Sequence, residues 1–221
     1  MAGVEERLEK KEYVKDDTDG IIPRAVQYMW ANMTNRPERY YVKASFMEIY
    51  NEQIRDLLNP SSGMLHCRWN VRNGFFVEEL MVVDCTNIDD LLAVLHEGMR
   101  NRKTGSHDLN KDSSRSHSIM TVYVISETKS EDGHIFKRYG KLVFVDLAGS
   151  ERLKESKSQG DMVKETGNIN KSLFTLGKVI SALGSKKQVT HIPYRDSKLT
   201  MLLRDSLGYI RVFIVVVHQR H

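Results

Sequence analysis

Residues 142–151 read LVFVDLAGSE, an apolar run that ends on an aspartate, with a glycine three residues later. An unpaired charge inside a sheet has a large desolvation cost. We therefore expect Asp146 to lie where a buried strand emerges from the sheet. A carboxylate at such a strand end indicates a site for a cation.

A second polar segment strengthens this indication. P-loop nucleotide hydrolases hold Mg²⁺ with an aspartate at a strand end, and a glycine such as Gly149 lets a backbone N–H approach a phosphate. D-x-x-G alone is a weak signal, because an aspartate before a turn is common. Residues 110–117, NKDSSRSH, add hydroxyls that can ligate Mg²⁺ and a guanidinium that can pair with phosphate or carboxylate. The alternative interpretation is an ordinary serine-rich loop.

Length and composition limit the class of protein. The chain has 221 residues, 40% of them hydrophobic, which is enough to bury the core of one domain. Cys67 and Cys85 are too few for a disulfide framework; we interpret them as free thiols in a reducing compartment, and a single bridge is the alternative. The charged start MAGVEERLEKKEYVKDD and the short apolar run VFIVVV at 212–217 predict neither a signal peptide nor a membrane span.

The net charge of +4 is distributed unevenly. Residues 151–221 contain 13 Lys and Arg against 6 Asp and Glu, whereas residues 1–150 contain 20 against 23. A basic C-terminal third favours an acidic partner surface, such as nucleic acid, anionic lipid or an acidic protein. An ordinary solvated surface is an equally good interpretation of the charge alone.

Hydrophobic periodicity predicts alternating helices and strands. Helices are expected from Gly20 to Trp30, in NIDDLLAVLHEGM after a cap at Thr86-Asn87, along a stripe of Ile169, Leu173, Leu176, Ile180 and Leu183, and from Asp196 or Ser197 to Gly208. Strands are expected in YYVKASFMEIYN, GFFVEELMVV, SIMTVYVISET and the run that ends at Asp146, with a hairpin turn at Glu131-Asp132-Gly133. RDLLNPSSG is predicted as a helix end and loop, and RNRKTGSHDLNKDSSRSHS as a long polar loop. The pattern predicts a layered α/β domain with a mixed central sheet.

Four motifs in this order resemble the motor domain of kinesins: NKDSSRSH at 110–117, VDLAGSE at 145–151, NINKSL at 168–173 and HIPYRDSKLT at 191–200. The likeness extends from about Gly20 to Gly208. It implies the kinesin motor fold, which is P-loop NTPase-like, with helices on both faces of the sheet. At Arg68-Trp69-Asn70 the chain resembles the kinesin-12 subfamily.

The resemblance implies a nucleotide site that uses ATP and Mg²⁺. NKDSSRSH is similar to switch I, which implies that Ser113 and Ser114 contact Mg²⁺ and the γ-phosphate region and that Asn110 helps to place nucleotide and water. DLAGSE is similar to switch II, which implies Asp146 on the metal through water and the Gly149 N–H on the γ-phosphate. In kinesins the switch I arginine pairs with the switch II glutamate, which implies an ion pair between Arg115 and Glu151.

The resemblance also implies a partner, the microtubule, and a location on the microtubules of the cytoplasm. The residues expected to meet the acidic surface of tubulin are Lys154, Lys157, Lys171, His191, Tyr194, Arg195, Lys198 and Arg204. For Tyr194 the alternative is an aromatic side chain packed in a turn. We expect no membrane partner and no nucleic acid, because the basic third has no interleaved aromatic residues for base stacking.

One departure from the family concerns the phosphate-binding loop. None of the 14 glycines stands in a G-x-x-x-x-G-K-[ST] pattern, and the two Gly-Lys pairs are followed by Leu142 and Val179. We therefore expect a charged N-terminal segment at 1–19 that need not be ordered, a partial motor domain at 20–217 without the N-terminal strands and P-loop, and a tail at 218–221. Dimerisation would need a stalk that these residues do not contain.

Three hypotheses follow for the activity. The chain is part of an ATP-hydrolysing microtubule motor, or it is a microtubule-binding protein that acts independently of nucleotide, or it is an inactive truncation. In every case we expect that these 221 residues alone do not turn over ATP.

Overall fold

The structure is a computed structural model that describes residues 20–107, 115–149, 161–185, 191–208 and 214–217. The helices are α1 (Ile21–Thr34), α2 (Ile88–His107), α3 (Asp161–Leu183) and α4 (Lys198–Gly208). The strands are β1 (Arg39–Tyr50), β2 (Gln53–Asp56), β3 (Met64–Leu65), β4 (Cys67–Asn70), β5 (Gly74–Val77), β6 (Val83–Cys85), β7 (His117–Lys129), β8 (Ile135–Asp146) and β9 (Ile214–Val217). Short 3₁₀ turns lie at Pro60–Ser62 and Tyr194–Asp196.

Seven strands form one mixed sheet in the order β3-β2-β1-β7-β8-β9, with β6 also paired to β1. The pairs among β1, β2, β3, β6, β7 and β8 are antiparallel, and β9 runs parallel to β8. Strands β4 and β5 form a separate hairpin. The predicted hairpin between β7 and β8 is confirmed, with Gly133 at φ 82° in its turn.

Helices cover both faces of the sheet, as predicted. On one face, α1 and α2 pack against alternate residues of the central strands, among them Ala44, Phe46, Val122 and Phe144. On the other face, α3 and α4 pack against the residues in between: Met47, Ile49, Ile119, Val143 and Val145. Because the central strands are buried on both sides, apolar residues occupy positions on both faces of these strands.

Helix α2 starts as predicted and ends later than predicted. The Asn87 Oδ1 accepts the N–H of Asp90, and the Asp90 Oδ2 accepts from the N–H and hydroxyl of Thr86, a reciprocal cap. Leu91, Leu92 and Leu95 are buried as expected. The prediction of a loop from residue 100 was wrong, since the helix continues to His107. A polar sequence remains helical here because one face of it, which includes Arg102, packs against the sheet end.

Three other local predictions were wrong. Within RDLLNPSSG, Arg55 and Asp56 belong to β2, and Pro60–Ser62 form a 3₁₀ turn. The single strand expected in GFFVEELMVV is divided into β5 and β6, because Glu79 adopts a left-handed φ of 59°. Among the α3 side chains that the structure describes, from residue 171 onward, Ser172, Thr175, Leu176 and Val179 are buried. Of the predicted stripe, Leu176 is therefore buried as expected, Leu173 is half-buried, and Ile180 and Leu183 are exposed, while the Ile169 side chain lies outside the described part of the chain.

Two observations concern the predicted cellular setting. Cys67 and Cys85 are both free, as interpreted from the sequence. None of the described helices has both the length and the hydropathy to cross a membrane.

Candidate functional site

The two motif segments meet at one end of the sheet. Strand β8 ends at Asp146 and strand β7 begins at His117, and the antiparallel register sets Ser118 opposite Asp146. Arg115 therefore approaches the sheet end from β7, and Gly149 leaves it from β8. The expectation that Asp146 lies where a buried strand emerges is confirmed, since its side chain is 16% exposed.

Arg102 is the partner of Asp146, and the sequence analysis gave it no role. Its Nη1 donates to the Asp146 Oδ2 at 2.6 Å and to the Ser118 Oγ at 3.1 Å, while Nη2 donates to the Ser116 carbonyl at 3.1 Å. The Glu48 Oε1 lies 3.7 Å from its Nε. With only 11% of its side chain exposed, Arg102 balances two carboxylates at the sheet end.

One signal in the sequence could have revealed Arg102. It follows Leu95 and Met99 at spacings of seven and three residues, which continues the buried face of α2. The polar composition after residue 100 concealed that continuation.

His117 is a second residue to which the sequence analysis assigned no role. Its Nδ1 accepts the Ala148 N–H at 2.9 Å, and its Nε2 lies 2.6 Å from the Ser172 Oγ. Because a backbone N–H can only donate, the ring proton must be on Nε2, which donates to Ser172. Burial, and secondarily the charge of Arg102, lower the pKa of His117 to about 4, so the ring is neutral at pH 7.

This histidine joins three parts of the site. It lies at the start of β7, its Nδ1 holds the backbone between Asp146 and Gly149, and its Nε2 reaches the buried face of α3. A displacement of the D-x-x-G segment would therefore move His117 and disturb its hydrogen bond to Ser172 on α3.

Several predicted nucleotide residues lie outside the described residues: Asn110, Ser113, Ser114 and Glu151. The expected ion pair between Arg115 and Glu151 thus stays a prediction. Arg115 itself is half-buried in a 3₁₀ turn two residues before β7.

The chemistry around Asp146 fits an indirectly held magnesium ion. Within the described ranges no group of three or more His, Cys, Asp and Glu side chains could hold a metal ion. Mg²⁺ in nucleotide sites, however, commonly uses only one or two carboxylates together with water and substrate phosphates. A single half-buried carboxylate that is already oriented by an arginine matches that requirement.

The predicted filament residues lie on neighbouring elements. Lys171 is exposed on α3, His191 and Arg195 are exposed beside the Tyr194–Asp196 turn, and Lys198 and Arg204 lie on α4. Helices α3 and α4 belong to one core cluster through Leu176, Leu199 and Leu203. Lys154 and Lys157 lie outside the described residues.

The Tyr194 ring is half-buried and packs against Arg204. The Arg204 guanidinium lies 5.7 Å from its ring centroid, and partial burial raises the pKa of its hydroxyl. This geometry favours the packed-aromatic interpretation of Tyr194, with Arg204 stacked on it.

A cavity of about 490 Å³ lies elsewhere, between the end of α1, the start of β1 and strand β6. Its lining includes Trp30, Met33, Tyr40 and Cys85, and none of the predicted site residues. The sheet-end site is therefore separate from this cavity.

Comparison with known proteins agrees with this arrangement. The family profile described as the kinesin motor domain matches residues 1–219. The chain is 45% identical over 198 residues to the kinesin-like protein KIN-12E of Oryza sativa subsp. japonica, and 44% identical over 206 residues to KIN-12D of Arabidopsis thaliana. These alignments cover 86% and 89% of the chain, and 10% and 7% of the two relatives.

Two further matches are a kinesin-like protein from a third organism and a solved structure. The kinesin-like protein KIF15 of Strongylocentrotus purpuratus is 44% identical over 86% of the chain and 13% of its own length. A solved structure titled as that of a fast kinesin, with implications for ATPase mechanism and interactions with microtubules, matches with a TM-score of 0.78 and 36% identity. That match covers 92% of this chain and 58% of the solved one. The family profile matches nearly the whole length of this chain, and the sheet end brings the two motifs together. This chain therefore belongs to the kinesin motor domain family.

Proposed function

We propose that this chain provides the switch regions and the filament-binding elements of a kinesin-12-like motor, which couples ATP binding and hydrolysis to movement along microtubules. The observation that carries the proposal is the meeting of the two motif segments at one sheet end, with His117 connecting them to α3. Because a nucleotide at that end would contact the D-x-x-G segment, its state would reach α3 through Ala148 and Ser172.

In this proposal Asp146 would hold Mg²⁺ through water, and Ser113 and Ser114 would provide hydroxyls toward the metal and the γ-phosphate. When bound, the metal would neutralise charge that develops on the phosphates. Asn110 orients nucleotide and water, and the Gly149 N–H binds the γ-phosphate. Arg115 and Glu151 pair when the two segments close, and the pair separates after hydrolysis.

Arg102 would have two functions in the cycle. It orients and neutralises Asp146, as the 2.6 Å contact indicates. With a metal present it would share the carboxylate, which keeps the affinity of Asp146 for the ion moderate. Moderate affinity suits a site that must release its ligand in every cycle.

The filament face consists of Lys154, Lys157, Lys171, His191, Arg195, Lys198 and Arg204, with Tyr194 as a packed support. Exposed cations attract an acidic surface over about 10 Å at 0.1 M salt, and that attraction weakens as salt is added. The proposal therefore includes a location on cytoplasmic microtubules, and dimerisation through a stalk outside these residues.

A second candidate, a nucleotide-independent microtubule binder, is favoured by one specific observation. The 221 residues contain no G-x-x-x-x-G-K-[ST] loop, whose backbone N–H groups and lysine provide most of the phosphate binding. The transcript sequence upstream of the Met1 codon separates the candidates. An in-frame phosphate-binding loop supports the motor, and a stop codon without one supports the binder.

Co-sedimentation with microtubules tests the filament face itself. We expect the chain to pellet with microtubules, less so as salt rises, and equally with and without ATP. Arg195→Glu should weaken binding about fivefold to tenfold, which corresponds to roughly 1 kcal/mol, whereas Arg138→Glu, at an exposed arginine on β8, should not. Failure of a folded sample to pellet at low salt would refute the filament face.

A further inference from the structure

The turn between β1 and β2 contains an unusual residue. Tyr50 ends β1 and Gln53 begins β2, so Asn51 and Glu52 form a two-residue hairpin turn, with φ of 53° and 60°. Such turns favour Asn followed by Gly, because both central residues need positive φ. Asparagine tolerates that region, but a glutamate in it is strained. Strain at a defined position calls for a compensating contact.

The Glu52 carboxylate makes that contact with a distant helix. Its Oε2 accepts the Lys198 N–H at 2.8 Å, and its Oε1 accepts the Ser197 hydroxyl at 3.0 Å. The Ser197 Oγ in turn accepts the Leu199 N–H at 3.2 Å. Two of the N–H groups that the start of α4 leaves unsatisfied are thus bound by a carboxylate and by the serine that it orients.

This cap also controls the turn before α4. The Thr200 hydroxyl in the first turn of α4 donates to the Tyr194 carbonyl at 2.8 Å and to the Ser197 carbonyl at 3.0 Å. The 3₁₀ turn Tyr194–Asp196 and the first turn of α4 therefore form one hydrogen-bonded unit. Arg195 and Lys198, both in the proposed filament face, belong to that unit.

A second glutamate shows that the contact is specific to this place. Glu79 also has a left-handed φ, 59°, and is exposed. Within the described part of the chain its side chain makes no hydrogen bond or ion pair. The two glutamates share residue type and backbone strain, and they differ in the contact to α4.

We propose that Glu52 is a positioning residue for filament binding: from a strained turn of the central sheet, it sets the start of α4 and thereby Arg195 and Lys198. This inference rests on the proposed function, because it assigns α4 and its preceding turn to the filament face. It adds a rigid connection between that face and the sheet that ends at Asp146.

Three variants of the full 221-residue chain test this inference. Glu52→Gly removes the carboxylate and relieves the backbone strain. Glu79→Gly makes the same change, with the same relief, at a glutamate without the contact. Glu52→Gln keeps an acceptor for the Lys198 N–H and loses the charge. Hydrogen exchange at the Lys198 and Leu199 amides and the dissociation constant for microtubules are measured for each variant, together with the thermal midpoint.

We expect Glu52→Gly to raise exchange at both amides at least tenfold and to weaken microtubule binding about threefold to tenfold, although its turn is freed of strain. Glu79→Gly should leave both quantities unchanged. Glu52→Gln should lie between Glu52→Gly and the unaltered chain. If Glu52→Gly does not fold, exchange and microtubule affinity are compared between Glu52→Gln and the unaltered chain instead, and the same outcomes support or overturn the inference.

Unchanged exchange and unchanged affinity in the Glu52 variants would overturn the inference. Faster exchange with unchanged affinity would also overturn it, since Glu52 would then be a cap without a role in binding. If the unaltered chain is folded and does not pellet with microtubules, the proposed filament function fails. In that case faster exchange in Glu52→Gly would still support the positioning of α4.

Discussion

At the scale of single residues, the site depends on side chains whose partners are far away in sequence. Arg102 and Asp146 are 44 positions apart, and His117 and Ser172 are 55 apart. No local pattern encodes such pairs. The sequence motifs predicted Asp146 near a metal ion, Gly149 near a γ-phosphate and Arg115 in a pair with Glu151. The contacts of Arg102 and His117 became visible only once the sheet register set β7 against β8.

Arg102→Ala should be strongly destabilising. The substitution would leave Asp146 and Glu48 as poorly solvated carboxylates without their cation, which typically costs about 3–5 kcal/mol. Urea unfolding followed by circular dichroism measures the loss. Arg100→Ala is the matched control, because its ion pair with Glu97 is exposed and should contribute less than about 1 kcal/mol. Equal stability of the two variants would contradict the role of Arg102.

The lowered pKa of the buried His117 should make the stability of the fold depend on pH. Its pKa is about 4 in the folded chain, against 6.5 for an ordinary histidine, so the unfolded chain binds the proton more readily. The stability from the neutral ring is complete above pH 6.5 and is lost as the pH falls toward 4. The full loss is roughly 3 kcal/mol, from about 1.4 kcal/mol per pKa unit.

Unfolding free energies measured from pH 7.5 to 4.5 check this dependence. His117→Asn keeps an acceptor for the Ala148 N–H and should remove most of the slope between pH 6.5 and 5. His134→Asn, at an exposed histidine on the β7–β8 turn, should leave the slope unchanged. Burial also lowers the pKa of His96, so a smaller slope should remain in His117→Asn. A slope as steep as that of the unaltered chain would contradict the assignment.

At the scale of helices and strands, prediction succeeded where the hydrophobic period was strong. Strands β1, β7 and β8 and helix α4 were recognised because their apolar residues alternate or recur at helical spacing. Helix α1 was recognised from Pro23 in its first turn, and it extends to Thr34 rather than ending at Trp30. The second half of α2 was missed because its buried face carries Asn101 and Arg102 rather than apolar residues; the Asn101 Nδ2 donates to the Leu57 carbonyl at 2.8 Å. The buried face of α3 was misjudged for a related reason, since Ser172 is buried by its bond to His117.

A side chain larger than hydrogen at Gly98 on α2 should disturb the packing of that helix against the sheet. An added Cβ would lie 2.0 Å from the Cδ1 of Phe46, which is fully buried in the core between α2 and the sheet. Gly98→Ala should therefore destabilise the chain by about 1–3 kcal/mol despite the better helix propensity of alanine. On α3 an added Cβ at Gly177 would meet nothing within 4 Å. Gly177→Ala should stabilise by about 0.5–1 kcal/mol.

Thermal denaturation of both glycine variants makes the comparison. The two substitutions have the same chemistry and the same intrinsic effect on a helix, so the difference isolates the contact with Phe46. A stabilising Gly98→Ala would show that α2 can move away from the sheet. That outcome would contradict the close packing that carries Arg102 to Asp146.

At the scale of the whole molecule, the layered α/β architecture with helices on both faces followed from the sequence, whereas the strand order did not. In the order β3-β2-β1-β7-β8-β9, the β1–β7 and β8–β9 pairs join segments that are far apart along the chain, and among the pairs of consecutive strands only the β7–β8 hairpin was predicted from the sequence. The uneven charge could be read from the sequence, and the structure adds that the described cations of the basic third lie on α3, on α4 and beside the turn that precedes α4.

Hydrogen bonds connect the central sheet to both helices of the proposed filament face. His117 connects the D-x-x-G segment to α3, and Glu52 connects the β1–β2 turn to α4. Both connections start from the central sheet, and each reaches one of the two helices of the proposed filament face. A motor that converts a nucleotide-dependent shift into a change in filament affinity requires connections of this kind.

We propose that one face, formed by α3 and α4, meets tubulin while the two motif segments close at the sheet end. Cryo-electron microscopy of microtubules decorated with the chain would show both contacts at once. We expect density in which α3, the Tyr194–Asp196 turn and α4 lie on tubulin and the Arg115 guanidinium lies within about 4 Å of the Glu151 carboxylate. A decorated microtubule in which another face meets tubulin, or in which Arg115 and Glu151 are out of mutual reach, would contradict it.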